Sequence, residues 1–193
     1  MPINPVYECD PKNVVNPQAL LEKLPLVRAW IDRTLTAHNN RARSVASYHF
    51  PRLAAFYSNE FLIAAKVVEI EHVPVPPLSS FGLTGFEEFE GGNYAGITFR
   101  DTYFVQSGEA LRESLHFHEL VHVVQWQHLG AERFVTAYAL GYLQGGDYRS
   151  NPLEVMAYNL QDYFESGGQP GDVEAAVRRQ LDEFIPTLER AFT

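Results

Sequence analysis

The side chains best suited to chemistry in this chain are crowded into residues 113 to 130, ESLHFHELVHVVQWQHLG. An otherwise apolar run carries His118, Glu119 and His122, with His116 and His128 nearby. Burying such groups is unfavourable unless a partner satisfies them. On a helix, residues four apart stand one above the other on one face. His118 and His122 therefore present two imidazoles to one point, suited to a zinc ion about 2.0–2.1 Å from each nitrogen. Glu119 projects about 100° around the helix from His118. There its carboxylate reaches a water at the metal without ligating the metal, the position of a general base. The pattern is H-E-x-x-H, written here HELVH.

The flanking histidines do not share that face. His116 is offset by about 160° from His118, and His128 by about 120° from His122. The first reads as a core or hydrogen-bonding histidine, the second as a helix-end residue favoured by the macrodipole. Gln125, seven after His118 on the ligand face, either orients a group behind the metal ligands or solvates the rim.

A catalytic zinc site takes a third protein ligand and leaves one position open. No histidine follows His128, so an H-E-x-x-H-x-x-G-x-x-H arrangement is impossible, and of the downstream carboxylates Glu154 is the best placed. SNPLEVMAY opens a helix on which Glu154, Ala157, Tyr158 and Gln161 share a face, and the small Ala157 permits close approach. A second reading needs no metal: Asn151 as N-cap, Pro152 at the first helical position and Glu154 at the third form a capping box. Both readings stand on the sequence alone.

HELVH followed by NPLEVMAY resembles the zincin metallopeptidases, more narrowly the gluzincin branch with HExxH on one helix and N-x-x-E-x-x-[SA] on a later one. The resemblance covers residues 113 to 163. It implies a zincin-like fold, His118, His122 and Glu154 as zinc ligands, Glu119 as general base, and Asn151 and Ala157 as companion positions. It further implies that the segment 96–106 serves as an edge strand on which an extended peptide pairs. The histidine that thermolysin-like members use to stabilise the oxyanion has no counterpart. Tyr148 or Tyr158 could take that role as a tyrosine does in the gluzincin aminopeptidases, with Arg149 a third candidate. The implied function is a zinc metallopeptidase acting on peptide or protein substrates. The rival is a catalytically inactive zinc-binding or peptide-binding domain of the same fold. Cys9 could reach the zinc from an N-terminal arm and hold it latent, or be a plain free thiol.

The elements that must position these residues follow from periodicity. Leu20, Leu24, Val27, Ile31 and Leu35 recur at helical spacing between Pro17 and His38, with Pro25 a candidate kink. The β-branched residues of AAKVVEIEHVPVPP predict a strand closed by prolines. YAGITFRDTYFVQ alternates with period two and predicts one further strand. Beyond Ser107 the pattern is helical: about 108–128, 131–143, 152–166 and 172–191, with Gly130 and Gly167 at expected C-caps. Residues 1–16, rich in Pro and Asn, predict an irregular arm. The expectation is one α+β domain over residues 1–193, a small sheet preceding the HExxH helix and a mostly helical C-terminal half.

Bulk properties exclude more than they assign. The 193 residues, 46% apolar and 20% charged, are ordinary for a globular protein. A net charge of −9 argues against nucleic acid or anionic membrane as partner. A single cysteine excludes an internal disulfide framework and a thiolate zinc cluster. The N-terminus lacks the basic and apolar regions of a secretory signal, so the expected location is cytoplasmic.

Overall fold

The computed structural model describes residues 17–145 and 148–190. The arm predicted at 1–16, including Cys9, lies outside them. Helix α1 spans Pro17–His38 and runs through Pro25 without ending there. Leu20, Leu24, Val27 and Ile31 are all buried along it, the stripe an amphipathic helix turns to a core. Short elements follow: β1 (Arg43–Ser44), α2 (Asn59–Ala64), β2 (Lys66–Ile70) and α3 (Glu87–Glu90). Ser58 caps α2 by accepting from the Phe61 N–H at 3.2 Å.

The segment expected to be one strand, 94–106, is two. β3 (Gly96–Phe99) and β4 (Thr102–Gln106) form an antiparallel hairpin, with Thr98 opposite Tyr103 and Ile97 opposite Phe104. The chain reverses at Arg100 and Asp101, where Arg100 adopts a left-handed φ of 61°. Period two persists through both arms, so alternation alone cannot reveal the reversal, and neither turn residue is glycine or asparagine. The reversal puts Gly96, Thr98, Tyr103 and Val105 on one face, and Ile97, Phe99, Thr102 and Phe104 on the other.

The sheet order is β1-β2-β4-β3, with β2 and β4 parallel and the outer pairs antiparallel. β3 is therefore an edge. Helix α1 covers one face, its Trp30 ring 5.6 Å from Phe99 and its His38 ring 5.3 Å from Phe104. Helix α4 covers the other. With both faces covered, Val67, Val68, Tyr103, Phe104 and Val105 are almost wholly buried.

Helix α4 (Glu113–Gly145) contains a break at Gly130, whose φ of 72° and ψ of 167° lie far from helical values. The two arms match the helices expected at 108–128 and 131–143, although the first begins at Glu113. Helix α5 (Pro152–Glu165) and helix α6 (Val173–Arg190) pack on α4. Phe56, Phe117 and Phe164 form the ring cluster beneath α5. The architecture is α+β, mostly helical, with the small mixed sheet ahead of α4. Among the described residues no helix is long and apolar enough to cross a membrane.

Candidate metal centre

The first arm of α4 presents His118 and His122 on one face, their Nε2 atoms 3.1 Å apart. Glu154 arrives from the first turn of α5, with Oε2 3.3 Å from His118 Nε2 and Oε1 3.2 Å from His122 Nε2. The three side chains are 1–4% exposed. They are a group among the described residues whose ligand atoms could hold one metal ion, all lying within 4.8 Å of one another.

Local capping aims α5 at this point. The Asn151 side chain accepts from the Leu153 N–H at 3.1 Å, while its own N–H donates to the Tyr148 carbonyl. The capping box that would turn Glu154 back on Asn151 is thus not formed. Asn151 caps the helix alone, and the Glu154 carboxylate is directed to the imidazoles. Two close contacts bring the helices together: Ala157 is fully buried, and a methyl on Gly141 would meet Asn151 Oδ1 and Pro152 Cδ at 2.9 Å.

The electrostatics are those of a site that binds positive charge. Burial opposes ionisation of Glu154, yet the two imidazoles hold its carboxyl well below the usual carboxylate range. Burial likewise opposes charging of His122, and the Glu154 carboxylate overrides it and lifts the imidazole to about 9. Metal binding and protonation compete for the same lone pairs on such a group. Glu154 Oε2 and His118 Nδ1 are buried without hydrogen-bond partners among the described residues. Two imidazole nitrogens and a carboxylate oxygen form a donor set that suits several first-row metals, so the residues fit such an ion.

Glu119 sits to the side of this group. Its Oε2 accepts from the Thr98 hydroxyl at 2.6 Å. Its carboxylate lies over Gly96, where a Cβ would be 2.3 Å from Oε1. Trp126 fixes the same strand by donating from Nε1 to the Thr98 carbonyl at 3.1 Å. Burial raises the pKa of Glu119, and His118, His122 and Thr98 oppose the rise. Glu119, His122 and Glu154 share a cavity of about 90 Å³ that wraps the β3 edge and is otherwise walled mainly by apolar groups such as Ile31, Phe89 and Trp126.

The remaining candidates divide. Tyr148 lines the cavity, and the Tyr158 ring lies 4.6 Å from His118. Their pKa values are raised by burial, then by Glu154, so both hydroxyls are donors at neutral pH. The Arg149 guanidinium stacks over the Tyr158 ring at 5.0 Å. His116 points elsewhere, between the Tyr103 hydroxyl and the Ala110 carbonyl at 2.6 and 2.9 Å. His128 ends the first arm of α4 and meets Asp182 of α6 at 2.7 Å. Two partners of the site carry no signal in the sequence. Thr98 holds Glu119, and Tyr138 donates to Glu154 Oε1 at 2.7 Å. Neither is linked to the motif by any helical or strand spacing.

No family model, curated protein or solved structure matches the chain.

Proposed function

We propose that the protein is a zinc-dependent hydrolase of gluzincin type, cleaving peptide bonds with Glu119 as general base. The observation that carries the reading is the convergence of His118 and His122 Nε2 with the Glu154 carboxylate inside 3.3 Å, from two separate helices in a buried setting. A metal held by His118, His122 and Glu154 would supply Lewis-acid polarisation of the scissile carbonyl and a more acidic attacking water. Glu119 would take the proton of the attacking water as the water's oxygen bonds the carbonyl carbon, and return it to the amine nitrogen as the C–N bond breaks. Its Thr98 hydrogen bond and its seat over Gly96 keep the carboxylate beside the ligands without making it one. Tyr148, which lines the cavity, and Tyr158, whose ring lies beside His118, are the candidate donors to a developing oxyanion. Among the described residues β3 is a sheet edge beside the site, engaged by Trp126 at the Thr98 carbonyl, and offers a surface for an extended peptide.

The near-complete burial of the ligands favours a second reading, a metal-binding domain without turnover. One pair of measurements separates the two. Wild type and Glu119→Gln are assayed for bound metal by elemental analysis and for cleavage of an unstructured protein substrate. The hydrolase reading expects equal metal content and a loss of activity on the order of 10²–10⁴-fold. Metal content without activity in either form selects the inert domain. Absence of metal binding removes both readings.

A further inference from the structure

We propose that Tyr138 is a positioning residue that makes Glu154 ligate through Oε2 alone, keeping a coordination position free; this rests on the metal reading above. The two carboxylate oxygens differ in their surroundings. Oε1 accepts a hydrogen bond from the Tyr138 hydroxyl at 2.7 Å. Oε2 is buried without a hydrogen-bond partner among the described residues. The nearest imidazole nitrogen, His118 Nε2, stands 3.3 Å from Oε2, and a buried acceptor without a hydrogen bond is destabilising, so Oε2 is the oxygen free to take a cation. The bond to Tyr138 meanwhile lowers the donor strength of Oε1 and fixes the rotation of the carboxylate plane.

Tyr138 is built to do this. It stands on the arm of α4 beyond the break at Gly130, where the changed direction carries it over the start of α5. Its carbonyl accepts from Asn151 Nδ2 at 2.9 Å, and Asn151 in turn caps α5. One residue therefore holds both the ligand and the cap that aims the ligand's helix. Its ring is set between Phe134 and Phe89, with centroids 5.8 and 6.2 Å away, so the hydroxyl has little freedom to leave. An open position is what separates a catalytic centre from a closed structural one. A carboxylate bound through both oxygens would take it.

The test uses cobalt(II) in wild type and in Tyr138→Phe, which keeps the ring packing and deletes only the donor. A low coordination number gives cobalt(II) strong visible bands, and a higher one gives weak bands. The expected result is intense bands in wild type, severalfold weaker bands in the variant, and a cobalt affinity about 10-fold lower. A merely structural tyrosine would lower thermal stability but leave the spectrum of the bound metal unchanged. Superimposable spectra with equal affinity would overturn the assignment to Tyr138 and leave the metal reading standing. Failure of wild type to bind cobalt, zinc or manganese would overturn the metal reading itself.

Discussion

The side-chain oxygen of Gln125 accepts a hydrogen bond from His122 Nδ1 at 2.8 Å, and that contact decides which imidazole nitrogen faces Glu154. Gln125 spends its amide N–H on the Leu153 carbonyl at 3.0 Å, so its oxygen is the atom turned to the ring. Nδ1 must then carry a hydrogen, and Nε2 is the nitrogen that gives a lone pair to a metal once its proton is lost. The same side chain ties α4 to the first turn of α5, which bears Glu154. Gln125→Leu keeps the volume nearly constant and removes these bonds together with the 3.5 Å contact of its Nε2 with Met156 Sδ. Its zinc affinity, measured by competition with a chromophoric chelator, is expected to fall about 10–100-fold. An unchanged affinity would mean that packing alone orients the ring.

Gly96 leaves the space that the Glu119 carboxylate occupies. A methyl there would sit 2.3 Å from Oε1 and 2.8 Å from Cδ, well inside contact distance. Gly96→Ala must therefore push Glu119 away from Thr98, while His118, His122 and Glu154 are untouched. If Glu119 is the base, hydrolysis falls about 10²-fold, as expected for a misplacement near 1 Å, with metal content unchanged. Equal activity in wild type and variant would remove Glu119 from the mechanism.

Gly130 permits the change of direction within α4. Its φ of 72° and ψ of 167° fall in a region essentially closed to residues with a Cβ. A methyl at this position would meet nothing within 4 Å outside its own helix backbone, so the cost of Gly130→Ala is backbone strain and not collision. The variant should lose about 1–3 kcal/mol in chemical denaturation. A stability equal to wild type would show that the helix reaches α5 without this conformation.

His116 makes stability depend on pH. Burial lowers its pKa from 6.5 to about 4, against opposing contributions from the Ala110 carbonyl and Glu69. Between those values the unfolded chain binds a proton that the folded chain does not. The contribution is therefore complete above pH 6.5 and lost as pH falls towards 4, by about 3 kcal/mol. Glutamine can donate to Ala110 and accept from Tyr103 without titrating. The stability of wild type relative to His116→Gln should thus decline between about pH 7 and about pH 4. A constant difference would show that the folded protein takes up the proton too.

How much was legible depended on how far apart the partners lie in the chain. HELVH is written within little more than one turn of helix, where rotation per residue fixes which side chains are neighbours. The pairing of the two imidazoles and the separate bearing of Glu119 are consequences of that geometry. The same locality made the buried stripe of α1 and the Asn151 cap readable. It also left Glu154 with two equally local explanations, and the hairpin at Arg100 hidden inside an unbroken alternation.

By itself the sequence determined two imidazoles, a neighbouring carboxylate and a second helix opening with Asn-Pro-Leu-Glu. The tertiary structure decided that Glu154 faces the imidazoles and leaves the cap to Asn151. It also decided that Thr98 and Gly96 frame Glu119, and that Tyr138 reaches Glu154 from beyond a broken helix. Periodicity reports only which side of its own element a residue occupies. Which elements then meet, and which atoms come within about 3 Å, depends on how the whole set of apolar faces is buried at once.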